Sequence, residues 1–169
     1  MSIVKKLATP VLLLLLIVLA LQYSEVKFKS ETLQKNADII FYKAIRDTMG
    51  GLGIDYDKTD KEQKLQSYYQ ITSNLYDAME VFFITSYNDN EDLYKVLNSL
   101  YIYLLERYGI ADTLTMEAED ESKYEIEDRL TIFEFLGKIV VYPEDKQVIS
   151  DFNNFLSEKK TELQSKKGS

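Results

Sequence analysis

The sequence predicts an all-α protein in which an N-terminal transmembrane helix precedes a bundle of about five helices. Residues 7–24 form a run of 18 residues without a charge, directly after Lys5 and Lys6. The whole chain has only 2 Pro and 6 Gly, so few helix breakers interrupt it. Beyond residue 30, apolar residues recur at three- and four-residue spacing in several segments. We therefore expect an anchor at 1–24 and one soluble helical domain at 25–169.

Composition excludes several classes of function. The chain has no Cys and no His, which excludes thiol nucleophiles, Ser-His-Asp triads and ordinary structural zinc sites. With 20 Lys+Arg against 28 Asp+Glu, the net charge is −8, which argues against binding to nucleic-acid phosphates. We expect no cofactor and no metal ion.

The apolar segment 7–24 favours an uncleaved anchor. A helix of that length is about 27 Å long, just enough to cross the hydrocarbon core of a bilayer. A cleaved secretory signal is the alternative, but its small residue Ala20 lies inside the apolar run rather than after it. A buried helix of a soluble protein is disfavoured, because five consecutive leucines leave no polar face.

The orientation of the anchor rests on the positive charges beside it. Lys5, Lys6 and the amino terminus stand on one side, and Lys27, Lys29 and Lys35 on the other, so the counts are nearly equal. Moving a short tail with three positive groups across a membrane is the less familiar event. We expect a single-pass protein with a cytoplasmic N-terminus and an extracytoplasmic soluble domain.

The first soluble helix is predicted to continue from the anchor. No Pro or Gly occurs between Pro10 and Gly50, and the pattern predicts a buried face. Its members are Leu33, Ala37, Ile40, Ala44 and Ile45. We expect this helix to end at 49–51 with a left-handed glycine. Ser30 could instead cap a separate helix after a kink near residues 24–30.

The next two helices are predicted to form an antiparallel hairpin. Asp60 is a candidate N-cap, with Gln63 placed to complete a capping box, and the helix should run to about Tyr87. After a polar turn at 88–90, a third helix should extend from about Leu93 to Tyr108 and end at Gly109. Phe82 and Leu100 are expected in the core.

Two further helices are predicted in the C-terminal third. The fourth is outlined by Tyr124, Ile126, Leu130, Phe133, Leu136, Ile139 and Val140. It should stop before Pro143, although the β-prone residues 138–142 leave room for a short strand. The fifth should begin at 143–145, where acids favour a helix N-terminus.

The acidic segment at 117–128 is the one candidate partner-binding site. Seven acids occur in these twelve residues, and we expect Glu117, Glu119, Asp120 and Glu121 to contact a basic partner surface. A solvated loop that leads into a helix N-terminus is the alternative. Two other acidic stretches, 55–60 and 88–92, lack the glycine or the final glutamate of a calcium loop.

These observations favour a non-enzymatic, membrane-anchored protein that acts through protein–protein interaction, as a subunit or accessory of a larger membrane assembly. The alternative is a sensor that binds a small molecule between helices, because eight tyrosines crowd the second and third helices. Tyr is favoured at interfaces but more often lies at the rim of a core. An enzyme that uses carboxylates, Ser, Tyr or Lys is the remaining hypothesis.

Overall fold

The computed structural model describes the backbone of residues 3–108 and 126–167 and the side chains of 12–55, 57–106 and 126–165. This part of the chain contains five α-helices, one short 3-10 helix and no strand. The helices are α1 (Ile3–Leu52), α2 (Lys61–Phe82), α3 (Glu91–Tyr108), α4 (Arg129–Val141) and α5 (Lys146–Lys167), with the 3-10 helix at Tyr56–Lys58. The predicted all-helical fold is confirmed, and the short strand considered at 138–142 is not found.

Helix α1 is a single helix of 50 residues, about 75 Å long at 1.5 Å per residue. The apolar N-terminal segment and the first helix of the bundle are therefore one continuous element, without a new helix start at Ser30. The expected end of this helix is wrong in detail, because Gly50 and Gly51 are helical and α1 ends at Leu52. Neither these two glycines nor Gly53 has a left-handed φ.

The transmembrane helix expected at 7–24 is not supported by the described residues, among which no helix is long and apolar enough to cross a membrane. The described side chains begin at Leu12, and the uncharged run from there ends before Glu25. These 13 residues span about 20 Å, whereas a bilayer core is about 30 Å thick.

The C-terminal half of α1 packs mainly against α2 and also against α4. Ala37, Phe41, Ala44 and Ile45 are buried in this contact, followed by Thr48 and Leu52. The buried face of α1 is rotated by part of a helical turn from the predicted one. Leu33 and Ile40, which were predicted to be buried, are exposed, and Phe41 lies at the centre of the buried face instead. Among the described side chains of α1, which begin at Leu12, burial starts at Ala37, so the bundle covers the C-terminal part of this helix.

Helices α2 and α3 form the predicted hairpin. Asp60 accepts a hydrogen bond from the Gln63 backbone N–H (2.8 Å), and Gln63 completes the capping box. The Tyr68 hydroxyl donates to the Leu104 carbonyl (3.1 Å), which ties the start of α2 to the end of α3. Helix α2 ends at Phe82, five residues before the predicted end. Phe82 and Leu100 are fully buried, as predicted.

Helices α4 and α5 close the bundle. Helix α4 begins at Arg129, and its buried residues are Ile132, Leu136 and Ile139. The predicted member Leu130 points outward, and Ile126 is buried in the segment before the helix. The Arg129 side chain donates to the Leu52 carbonyl at the end of α1 (3.3 Å). The Asp145 carboxylate caps α5 by accepting from the Gln147 and Val148 backbone N–H groups.

Candidate functional site

An uncharged face runs along the part of α1 that projects from the bundle. We define the stalk face by seven residues at alternating spacings of four and three, which place them on one side of a helix. They are Leu12, Leu16, Leu19, Tyr23, Val26, Ser30 and Leu33. The same spacing continues through the buried Ala37, the half-exposed Ile40 and the buried Ala44. Every charged residue between 12 and 44 lies off this line. The bundle therefore covers one end of a longer uncharged face.

The stalk face is exposed along its whole length. Its apolar side chains keep between 57% and 72% of their surface, the values for Leu19 and Tyr23. Leu33, only four residues before the buried Ala37, is 62% exposed. Water-exposed apolar side chains on this scale are unusual for an isolated soluble protein and mark a surface that contacts lipid or protein.

The bundle ends where the connection between α2 and α3 crosses α1. We call residues 83–90 the hairpin corner. Gln34 donates to the Thr85 carbonyl (3.3 Å), and the Ser86 backbone N–H donates to the Asp38 carboxylate (2.7 Å). These bonds fasten the corner to α1 just beyond the stalk face. Phe83 and Ile84, immediately before Thr85, are 60% and 56% exposed.

Two tyrosines complete the attachment of the hairpin corner. The hydroxyl groups of Tyr42 on α1 and Tyr87 in the corner are hydrogen-bonded to each other. Their rings meet edge to face, with centroids 5.9 Å apart. Burial, followed by the hydrogen bond with Tyr87 and by the nearby carboxylates Asp38 and Glu144, raises the pKa of Tyr42 above its ordinary value of 10.0. Tyr42 therefore stays neutral in the folded protein well into the alkaline range.

A polar groove of about 890 Å³ lies between the hairpin corner and the start of α5. Its lining includes four carboxylates and two lysines, namely Asp89, Glu91, Asp92, Glu144, Lys95 and Lys146. Lys95 already pairs with Glu91 (3.3 Å) and Asp92 (3.7 Å). The two helix N-termini that border the groove are already capped by side chains. Asn90 accepts from the Leu93 backbone N–H at the start of α3, and Asp145 accepts from the Gln147 backbone N–H at the start of α5. The groove is thus a polar cleft in which Lys95 and both helix N-termini already have partners within the chain.

The four predicted partner-binding residues, Glu117, Glu119, Asp120 and Glu121, lie outside the described residues. The end of the acidic segment does have a defined environment. Asp128 accepts a hydrogen bond from the Tyr103 hydroxyl (2.8 Å) and pairs with Lys159 (3.1 Å). The hydrogen bond to Asp128 is the main reason why the pKa of Lys159 is raised. Asp128 therefore joins α3, α4 and α5 and belongs to the structural part of the segment.

The tyrosines of α2 and α3 whose side chains the structure describes do not form a common lining. Tyr68 and Tyr103 are buried, whereas Tyr69 and Tyr76 keep 42% and 46% of their surface. Tyr76 stacks at a tilt on Tyr101, with ring centroids 6.0 Å apart. Of the eight tyrosines noted in the sequence, Tyr87 lines the polar groove. Their arrangement resembles a core rim more than a binding cavity.

The sequence interpretation missed the length of the stalk face. It treated 7–24 as an anchor and began the buried pattern at Leu33, so the exposed residues between them received no role. The signal was present in the sequence, because the four-and-three spacing passes through Tyr23, Val26 and Ser30 without a break.

Comparison of the chain with protein-family models, with curated proteins and with solved structures finds no match in any of the three.

Proposed function

We propose that this protein is a membrane-anchored, non-enzymatic helical protein that acts through protein–protein interaction, as a subunit or accessory of a larger membrane assembly. The observation that carries the proposal is the projecting part of α1, where apolar side chains from Leu12 to Leu33 remain exposed. Since α1 is unbroken, whatever holds its N-terminal part also positions the bundle.

A lipid bilayer is the proposed environment of the N-terminal part of α1. The uncharged run with described side chains, 12–24, is too short to cross a bilayer alone. The sequence adds 7–11, also uncharged, on its N-terminal side, which brings the run to 18 residues and about 27 Å. Tyr23 at the end of this run suits the membrane–water boundary, where aromatic residues are enriched.

The orientation remains part of the proposal. The N-terminus with Lys5 and Lys6 would stay in the cytoplasm, and the bundle would lie outside it. In this arrangement the hairpin corner lies at the membrane side of the bundle, separated from the membrane by about ten residues of α1, from Ser24 to Gln34. Ten helical residues correspond to about 15 Å.

The interaction role is favoured over small-molecule sensing. The polar groove has a volume within the usual range for ligand sites, which supports the sensor as the second candidate. Small-molecule sites are mostly apolar, however, whereas this groove is lined by charged and amide side chains. A metabolite that bound there would raise the thermal unfolding temperature of the full chain.

Carbonate extraction of membranes tests the proposed anchor. We expect the full chain to stay in the membrane pellet, with residues 1–24 detectable by mass spectrometry. A variant with Leu14→Arg and Leu15→Arg should be released, because each arginine costs about 2.5–3.5 kcal/mol at the centre of a membrane helix. Gln22→Arg together with Ser30→Arg adds the same two charges outside the centre of the run; this variant is the matched control and should leave the protein in the pellet. Release of the unaltered chain, or a mature N-terminus near Leu21, would contradict the proposal.

A further inference from the structure

Aromatic residues at the rim of the core form a line along the outside of the hairpin of α2 and α3. Tyr69, Tyr76 and Phe83 follow one another at seven-residue intervals on α2, about 10 Å apart, and keep 42%, 46% and 60% of their surface. On α3, Tyr94 and Tyr101 are also seven residues apart and lie against this line. The ring centroids are 4.8 Å apart between Phe83 and Tyr94, and 6.0 Å apart between Tyr76 and Tyr101. We call these five residues the aromatic seam.

The seven-residue interval is the repeat of a helix that packs along another helix. In coiled coils this repeat keeps one stripe of side chains in line with the partner over several turns. From Tyr69 to Phe83 the aromatic seam extends 14 residues along the hairpin, which is about 21 Å or four helical turns. A line of that length is longer than a small molecule and matches a helix of about four turns.

Carboxylates line the α2 edge of the aromatic seam. At about 100° per residue, Glu80 and Asp77 lie about 40° and 100° from Tyr76, on the side away from the buried Leu75. Glu62 continues the seven-residue series toward the start of α2. These three carboxylates are exposed, and none of them has an ion pair within the described part of the chain. The Tyr76 hydroxyl donates a hydrogen bond to Glu80, which raises the pKa of Tyr76 above its ordinary value of 10.0.

The α3 edge of the aromatic seam has a different character. Asn98 and Ile102, about 60° and 100° from the line of rings on the side away from the core, are uncharged. Glu91 and Lys95 at the start of α3 pair with each other at 3.3 Å. Glu106 lies farther behind, at about 140°. The unpaired carboxylates nearest to the rings therefore lie on the α2 edge.

These charges favour a cationic partner over a second copy of the chain. A second copy would bring the same unpaired carboxylates to the contact, and like charges across an interface oppose association. Lysine or arginine beside the α2 edge would instead pair with Glu80 and Asp77, and arginine also stacks on tyrosine rings. The aromatic rings supply the contact area, since aromatic residues are enriched at the centres of protein interfaces.

We infer that the aromatic seam binds an amphipathic helix of a partner protein, whose apolar stripe repeats every seven residues and carries lysine or arginine along one edge. The inference rests on the interaction role proposed above, for which it specifies the surface and the chemistry of the partner. The basic edge of the partner helix lies beside α2 and its uncharged edge beside α3, because the unpaired carboxylates stand on the α2 side.

Two synthetic helical peptides test the inference on the full chain in a non-ionic detergent. The peptides share one apolar stripe of about four turns, and one edge carries Lys in the first and Glu in the second. We expect the Lys-edged peptide to bind about tenfold more tightly, after subtraction of binding to empty micelles. Tyr76→Ala should weaken its binding about tenfold, whereas Tyr142→Ala, which removes an exposed tyrosine outside the seam, should leave it unchanged. Equal binding of the two peptides would overturn the inference.

Charge reversal at the α2 edge separates the inference from an effect of net charge. Asp77→Lys together with Glu80→Lys should reverse the preference toward the Glu-edged peptide. Glu134→Lys together with Glu158→Lys makes the same change in net charge at exposed positions of α4 and α5, and this matched control should keep the preference for the Lys-edged peptide. Circular dichroism checks that each variant is folded. Reversal by the control pair as well would overturn the inference.

Two other results distinguish this inference from its alternatives. If a Tyr76→Cys variant forms disulfide-linked dimers and a Tyr142→Cys variant does not, a second copy covers the aromatic seam and the inference is wrong. Release of the chain from membranes by carbonate, together with an intact preference for the Lys-edged peptide, would contradict the proposed anchor and support the inference. Retention in the membrane pellet without any peptide preference would overturn the inference alone.

Discussion

At the scale of single residues, the close contact between α1 and α2 depends on a glycine. A methyl group added at Gly51 would lie 2.6 Å from Cγ1 of Ile71 and 3.3 Å from the Ser67 carbonyl oxygen. At the adjacent Gly50 an added methyl group would meet no atom within 4 Å. The two neighbours share helical backbone but differ in the space around them, which makes them a matched pair.

We therefore expect opposite effects from two alanine substitutions. Gly50→Ala should raise the free energy of unfolding by about 0.5–1 kcal/mol, because alanine favours helix over glycine. Gly51→Ala gains the same helix preference but must displace Ile71, and such overpacking costs about 1–3 kcal/mol. Thermal unfolding of the full chain in detergent, followed by circular dichroism, measures both. Equal stabilisation by the two substitutions would show that α1 and α2 are farther apart than described.

The hydrogen bond between Tyr42 and Tyr87 makes a second prediction at this scale. The pKa of Tyr42 is raised in the folded state, so its contribution is complete below pH 10 and is lost as the pH rises above that value, where the unfolded chain ionises. Tyr42→Phe should lower the free energy of unfolding at pH 7 by about 1 kcal/mol. It should also make the loss of stability above pH 10 less steep. Measured unfolding curves at pH 7 and at alkaline pH test both effects.

The matched control for Tyr42→Phe is Tyr142→Phe. Tyr142 keeps 63% of its surface, so removing its hydroxyl should change the free energy of unfolding at pH 7 by less than about 0.5 kcal/mol. A Tyr42→Phe protein that loses stability above pH 10 as steeply as the unaltered chain would contradict the assignment.

At the scale of elements, the sequence predicted helix boundaries where local signals determine them and missed boundaries that depend on distant contacts. The capping box at Asp60 depends on two side chains three residues apart, and the sequence predicted it. The start of α5 was also predicted within a few residues, although the cap by Asp145 was not. The ends of α1 and α2 depend on distant contacts. Gly51 stays helical beside Ile71, and α2 stops where Thr85 and Ser86 bond to α1. Such long-range contacts leave no local pattern.

The same distinction applies to the candidate site. The spacing of the stalk face is visible in the sequence, but its exposure is not, because a stripe of Val26 and Leu33 looks the same whether a bundle covers it or not. The role of Asp128 was also hidden. Its partner Lys159 lies 31 positions later, and only the packing of α5 brings the two together (3.1 Å).

The acidic segment allows a prediction at the scale of elements. If Glu117, Glu119, Asp120 and Glu121 contact a basic partner, their attraction is exposed and is screened within about 8 Å at physiological salt. Replacing Glu119, Asp120 and Glu121 with Gln should slow partner association with little effect on folding, and the difference should shrink as salt rises. Association rates at several salt concentrations measure this. A loss of binding that is independent of salt would instead indicate a packed, structural role.

At the scale of the whole molecule, α1 connects an exposed apolar segment rigidly to a packed bundle. The core that fixes α1 includes Phe41, Phe82 and Phe152, all fully buried. Because α1 is helical from Ile3 to Leu52, the bundle cannot move freely relative to the segment before it. The chain therefore presents the hairpin corner at a fixed distance from whatever surrounds Leu12 and Leu16. The central claim of the proposed function is that the exposed segment lies in a bilayer while α1 holds the bundle at a fixed distance from it.

Single-cysteine labelling tests the central claim most directly, since the chain has no cysteine of its own. Leu16→Cys, Val26→Cys and Lys35→Cys variants, in intact membrane vesicles, are exposed to a membrane-impermeant maleimide. We expect Lys35→Cys to react quickly, Val26→Cys to react more slowly, and Leu16→Cys to react only after detergent is added. Rapid labelling of Leu16→Cys in intact vesicles, at the rate of Lys35→Cys, would show that this part of α1 lies in water and would contradict the claim.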